Sequence, residues 1–123
     1  VFGLERWNSD QHTYLVEGPI DSLFLPNCLA MAGADMSDLS ILNKDKTTLI
    51  FDNEPRNFQI CRSMMKSLQD GWKVVVWPKS ITCKDINDMV LTSIKDTGLV
   101  EIINRNTYSG QRGEWEVHSW KKV

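Results

Sequence analysis

Carboxylates recur in this chain at one kind of place, just after a short apolar run. Glu17 and Asp21 follow Thr13-Tyr14-Leu15-Val16, in the turn Glu17-Gly18-Pro19-Ile20-Asp21. Asp52 and Glu54 follow Leu49-Ile50-Phe51. Asp85 and Asp88 stand in Lys84-Asp85-Ile86-Asn87-Asp88, a few residues beyond Trp72-Lys73-Val74-Val75-Val76-Trp77. Runs of this kind read as buried strands, so each acid pair would lie past the carboxyl end of one. In an open parallel sheet, ligands bind in that crevice. Acids gathered there repel one another unless a cation lies between them. Magnesium suits such a site, because it takes one or two carboxylates, keeps waters and bridges to phosphate oxygens. No Cys/His pairing points to a softer metal.

The four aspartates also have ordinary explanations. Asp85 is a competent helix N-cap, and Asp88 one turn on can support it. Asp21 in a first helical turn complements the helix dipole. Asp52-Asn53 is a good turn former. Their conjunction, at the ends of successive apolar runs, is what favours a metal site.

The elements that must hold these acids follow from the hydrophobic pattern. Strands are expected at 13–17, 28–32, 47–51 and 72–77. Gly18 is expected to let the backbone turn beside Glu17, and Pro19 suits the first turn of a helix. That short helix runs from Ile20 with Leu23 and Phe24 inward, ending at Pro26-Asn27. A second short helix is expected from Met36 to Leu42, capped near Ser37. Pro55 opens a long helix to Asp70, with Phe58, Cys61, Met64, Met65 and Leu68 on its inner stripe and Gly71 as its stop. Asp85 caps a helix to about Lys95, with Ile86, Met89, Val90 and Ile94 inward and Gly98 closing it. Leu99 to Asn106 fits either a helix or a strand, with a lean to helix. Residues 109–113 read as a flexible loop and Trp115 to Val123 as a strand.

Strands alternating with helices, and strand runs that lack apolar/polar alternation, argue an α/β fold with a sheet covered on both faces. The expected architecture is roughly four parallel strands flanked by helices. Residues 1–12 form a lead-in, 13–98 the core, and 99–123 a C-terminal extension of a helix and then a strand.

The chain has 123 residues, with 14 Lys plus Arg against 16 Asp plus Glu, a net charge of −2. That length suits one core, and the balance leaves no strongly basic footprint for nucleic acid. The cysteines Cys28, Cys61 and Cys83 have no C-x-x-C spacing and read as free thiols of a reducing compartment. No apolar run is long enough to span a bilayer, and no signal peptide opens the chain. A cytoplasmic location and no membrane partner are the expectation. Val1 in place of Met suggests a domain of a longer protein. Trp72 and Trp77, flanking a strand, read as core. Trp115 and Trp120 are the better candidates for stacking on a single strand.

Val16-Glu17-Gly18-Pro19-Ile20-Asp21 resembles the first signature of the TOPRIM domain, which is shared by bacterial-type primases, type IA and II topoisomerases and some nucleases. Leu49-Ile50-Phe51-Asp52-Asn53-Glu54 resembles the second, usually Asp-x-Asp after a strand. Lys84-Asp85-Ile86-Asn87-Asp88 is similar to a stretch that follows the fourth strand in primases and helicase-primases. Most of residues 10–98 take part, and the pattern resembles the C-terminal TOPRIM portion of primases of T4-type bacteriophages. Glu54 stands where the family usually has Asp and reaches a methylene further. Asn87 stands where bacterial primases often place another acid.

The resemblance implies that the first and third strands are neighbours, with Glu17 beside Asp52. It implies Glu17, Asp52 and Glu54 as catalytic metal-site acids, with Asp21 and Asp85 in support and Asp88 a further supporting acid. It implies one or two magnesium ions, with manganese able to substitute. The activity implied is that of a primase in DNA replication, a DNA-directed RNA polymerase and nucleotidyltransferase of the primosome. Its partners would be a single-stranded DNA template, ribonucleoside triphosphates and a replicative helicase, in the host-cell cytoplasm if phage-encoded. Lys79, Lys84 and Arg56 are candidates for phosphate oxygens or nucleic-acid backbone. The rivals are a TOPRIM nuclease or topoisomerase module and a receiver-like signalling domain. A topoisomerase needs a nucleophilic tyrosine, and Tyr14 within a strand is a poor one. A receiver carries an acid pair at the end of its first strand, where this chain has Glu17-Gly18.

Overall fold

The computed structural model describes residues 1–33, 36–92 and 96–123, without the side chains of 36–38, 96 and 97. The strands are β1 (Thr13–Val16), β2 (Cys28–Ala30), β3 (Thr47–Leu49), β4 (Lys73–Val75) and β5 (Thr107–Tyr108). The helices are α1 (Pro19–Ser22), α2 (Phe58–Gln69), α3 (Ile86–Thr92), α4 (Asp96–Arg105) and α5 (Gly110–Trp120). The strands form one sheet in the order β2-β1-β3-β4-β5. Its first four members are parallel, and β5 runs antiparallel at the edge. This is an α/β, TOPRIM-like fold in which the first and third strands are neighbours, as the resemblance implied. The additional strand β5 is too short for periodicity to reveal; its pairing with β4 makes it.

Successive strand residues point to opposite faces, and both faces are covered. Leu15, Leu29, Leu49 and Val74 pack with Ile60, Met64 and Leu68 of α2 and Val117 of α5. Tyr14, Val16, Ile50 and Val75 pack on the other side with Ile86 and Met89 of α3 and Leu99 and Ile103 of α4. All of β1 is buried, which is why its sequence shows no polar alternation. Trp72 and Trp77 are both core residues, at 5% and 2% exposure.

Several elements differ from expectation. The long helix begins at Phe58, not Pro55, because the Asn57 side chain accepts from the Ile60 amide and caps it there. Phe58 is therefore an exposed first-turn residue and not part of the inner stripe. Gly71, at φ 95, does stop the helix as a left-handed residue. In α1 the inward residue is Ser22, and Leu23 is exposed. The segment Met36–Ile41 is a 3-10 helix, and the Ser37 side chain lies outside the described residues. Ile94 and Lys95 also lie outside them. Gly98 does not end a helix; it sits inside α4.

The largest difference is at the C-terminus, where the expected loop at 109–113 and strand from Trp115 are a single helix, α5. Its buried residues, Gly113, Val117 and Trp120, have helical spacing. Gly110 and Gly113 disguise it, because glycine disfavours helix interiors. Gly113 is there for packing: a Cβ would collide with the Leu68 side chain of α2.

Candidate metal and nucleotidyl-transfer site

The register of the sheet brings the first two acid pairs together. Thr13 pairs with Thr47 and Leu15 with Leu49, and the Ile50 amide donates to the Leu15 carbonyl at 2.8 Å. Continued along both strands, Glu17 falls beside Phe51 and Asp52. The Glu17 carbonyl accepts from the Ala32 amide at 3.0 Å, so its backbone is also tied to the segment after β2. Gly18 contributes less than expected. Its backbone is extended at φ −99, and a Cβ would stand 3.8 Å from the Asp21 carboxylate in ordinary contact.

Pro19 does occupy the first turn of α1, and Asp21 follows in that turn. Asp21 then reaches across to α3, where its Oδ1 accepts from the Asn87 amide at 2.9 Å. This bond joins the first acid cluster to the third. Asp85 caps α3 by accepting from the Asp88 amide at 2.9 Å, so the ordinary reading of that pair holds. Asp88 itself is exposed.

The electrostatics bind the clusters into one site. Burial pushes the Asp52 carboxyl up to about 7, helped by the charges of Glu17, Asp21, Asp85 and Glu54. Burial likewise raises Glu17, followed by the charges of Glu54 and Asp21, although Glu17 keeps a solvent-exposed flank. Asp21 is raised by burial and by Asp85 and Asp88, against the opposing hydrogen bond from Asn87. Every one of these shifts reports a site that resists its own negative charge.

The donors are carboxylate oxygens, which suit a hard divalent cation. Among the described residues, no group of three or more His, Cys, Asp or Glu side chains stands close enough to form a ready-made cage. Magnesium does not need one, since it keeps several waters and takes one or two carboxylates. The residues present therefore fit magnesium better than a metal that demands full protein coordination.

The cationic candidates lie apart from one another. Lys84 stands 3.8 Å from Glu54 and partly neutralises it. Arg56 is exposed beside Glu54 and Pro55. Lys79 lies on a separate wall, in the loop after β4. Tyr14 is buried with its hydroxyl bonded to Asn104, which leaves it no role as a nucleophile.

Asn53, which the sequence reading passed over, is the connector of this rim. Its amide donates to the Lys84 carbonyl at 2.6 Å. Its side-chain nitrogen donates to the carbonyls of Ile81 and Cys83 at 2.9 and 3.0 Å. Its oxygen accepts from the Trp120 indole at 3.1 Å. Trp120 is thus no stacking platform: it is 8% exposed and anchors α5 to the acid loop, whereas Trp115 is 67% exposed. The Lys122 amide adds a bond to the Pro55 carbonyl at 2.7 Å. An Asn between two strand-end acids was the available signal for Asn53. Nothing local marked Trp120.

No protein-family model matches the chain. Among curated proteins, it is 32% identical over 126 residues to "DNA primase" of Enterobacteria phage T4. The chain is related to a segment of a phage DNA primase. The match takes in 100% of this chain and 36% of that primase, so the chain spans about a third of its relative's length. This relationship agrees with the resemblance carried by the Glu17, Asp52 and Asp85 motifs.

Proposed function

We propose that this chain is the metal-binding core of a DNA primase, a nucleotidyltransferase that builds short RNA primers on single-stranded DNA. The observation that carries the reading is the convergence of Glu17 and Asp52 at the carboxyl ends of adjacent parallel strands, where burial and then the charge of Glu17 raise the proton affinity of Asp52. The relationship to a phage primase supports the same reading.

In the reaction, the 3′-oxygen of a primer bonds to the α-phosphorus of a ribonucleoside triphosphate. The bond from that phosphorus to the bridging oxygen breaks, pyrophosphate leaves, and the hydroxyl proton passes to solvent. Magnesium, when bound, would lower the hydroxyl's pKa and stabilise charge on the attacking and leaving oxygens. Glu17, Asp52 and Glu54 would hold it, with manganese able to substitute. Asp21 and Asp85 act behind them, Asp21 by tying α1 to α3 and Asp85 by capping α3. Positioning and electrostatics, not covalent chemistry by the protein, carry such a transfer.

Glu17→Gln in the full-length protein tests the proposal. It keeps shape and removes charge, and primer synthesis should fall at least about a hundredfold. Undiminished synthesis would end the reading. Cutting of DNA with magnesium and no nucleotides would point instead to a hydrolase of the same fold.

A further inference from the structure

Beside the acids lies a cleft of about 450 Å³, and its walls are not acidic. Asn53 forms one wall, Lys79 and Thr82 of the loop after β4 a second, and Ser119, Trp120 and Lys122 at the end of α5 a third. The cleft thus opens outside the carboxyl ends of β3 and β4, where open α/β sheets bind ligands. Its volume lies in the range of small-ligand sites.

Charge is segregated across this rim. Glu17, Asp21, Asp52 and Glu54 gather past β1 and β3, and the two lysines stand past β4 and α5. Lys79 and Lys122 are exposed, and neither has a salt-bridge partner among the described residues. Thr82 and Ser119 add exposed hydroxyls that can donate. Lys122, just past the end of α5, is held there by the backbone: the Trp120–Asn53 and Lys122–Pro55 hydrogen bonds fix the helix end against the acid loop. A ligand that carries a divalent cation at one end and a run of phosphates at the other matches both halves.

We propose that the cleft between the Asn53–Pro55 loop, the loop after β4 and the end of α5 is a phosphate subsite, with Lys79 and Lys122 as its cations. The proposal rests on the nucleotidyl-transfer reading, and it deepens it by making α5 part of the site. The phosphates are those of the metal-bound triphosphate or those of the nucleic-acid backbone, and the two sources are separable.

The experiment compares Lys79→Gln, Lys122→Gln and the double variant in the full-length protein. Lys46→Gln, at the opposite end of the sheet, serves as the charge control. Primer synthesis yields KM for ribonucleotides and kcat, and titration of an oligothymidylate yields DNA affinity and its salt dependence. For a triphosphate source, the double variant raises KM about tenfold with kcat within about twofold and DNA affinity unchanged. For a backbone source, DNA affinity falls and its salt slope flattens by about 0.7 per lysine lost, with KM unchanged. Either result supports a phosphate subsite. If KM and DNA affinity both match those of the Lys46 control, the proposal is overturned while the primase reading stands. If the unaltered protein makes no primers, that reading fails by itself. Calorimetric titration with magnesium–ATP and with pyrophosphate then judges the subsite, and equal affinity in the unaltered and double-variant proteins refutes it.

Discussion

The two ends of the sheet solve opposite problems. At the amino ends of the strands, polar groups find neutral partners. Asn27, left-handed at φ 46, donates from its side chain to the carbonyls of Asn8 and His12, each at 3.0 Å, and accepts from the Asn8 amide at 2.8 Å. Trp7 donates to Thr13 at 2.9 Å, and His12 bonds to Thr48 at 2.8 Å. Burial and then the charge of Lys73 lower the pKa of His12, which favours its uncharged form. At the carboxyl ends, carboxylates face carboxylates and are driven toward protonation. One end is closed by complementary hydrogen bonds within the chain. The other leaves carboxylates facing one another, a mismatch that a bound cation would relieve. A protein of marginal stability keeps such a mismatch where it serves function.

That contrast can be broken most sharply at Asp52. Asp52→Asn should lower primer synthesis about a thousandfold or more. In the metal-free protein at pH 8 it should instead raise stability, by about 1 kcal/mol after allowing for solvent screening. Primer gels, and urea unfolding in the presence of a chelator, check the two signs. A loss in both would mean that Asp52 is an ordinary structural acid.

At the other end, Asn27→Ala removes several bonds and places alanine in a left-handed conformation. It should cost about 2 kcal/mol of unfolding free energy, while the stabilisation gained from added magnesium stays unchanged. A changed magnesium response would show that the two ends are coupled.

A smaller effect separates the ends by pH. Asp52 is raised from 3.8 to about 7 in the folded chain. A carboxyl raised on folding favours the folded state fully only below its unfolded value, and that contribution is lost as pH rises through the folded value. Metal-free stability should therefore decline by about 1 kcal/mol between about pH 4 and pH 7 from this group. Magnesium should flatten the decline, as thermal melts at several pH values would reveal. An equal decline with and without magnesium would contradict a cation site.

The subtlest prediction concerns the link from α5 to the acid rim. Trp120→Phe keeps the aromatic packing and removes the indole donor to Asn53. It should cost about 1 kcal/mol or less in stability, yet raise the magnesium concentration for half-maximal primer synthesis a few-fold. An unchanged magnesium requirement would confine Trp120 to packing.

Legibility followed locality. Β-runs such as Tyr14-Leu15-Val16 and the 3.6-residue stripe of Cys61, Met64 and Leu68 declare their own conformation, because each repeats a burial pattern within a few residues. Gly71 and Pro19 likewise acted where their backbone preferences placed them. The acids were legible for the same reason, as carboxylates at the ends of apolar runs. The helix α5 was not. Its glycines argue for a loop when read alone, and only Leu68 of α2 explains why Gly113 must lack a side chain. The strand β5 was hidden in the same way, since its partner β4 lies far back in the chain.

The amino-acid sequence by itself determined the four parallel strands, the long helix α2, the α/β class and the set of acids, since periodicity and local turn chemistry are properties of neighbours. Tertiary structure alone decided that those acids repel across adjacent strands, that Asn53 ties three segments together, and that Trp120 brings the chain's end to the same rim. Those are relations between residues distant in sequence. Strand order, register and helix packing set them, and no local pattern encodes a distance between residues that far apart.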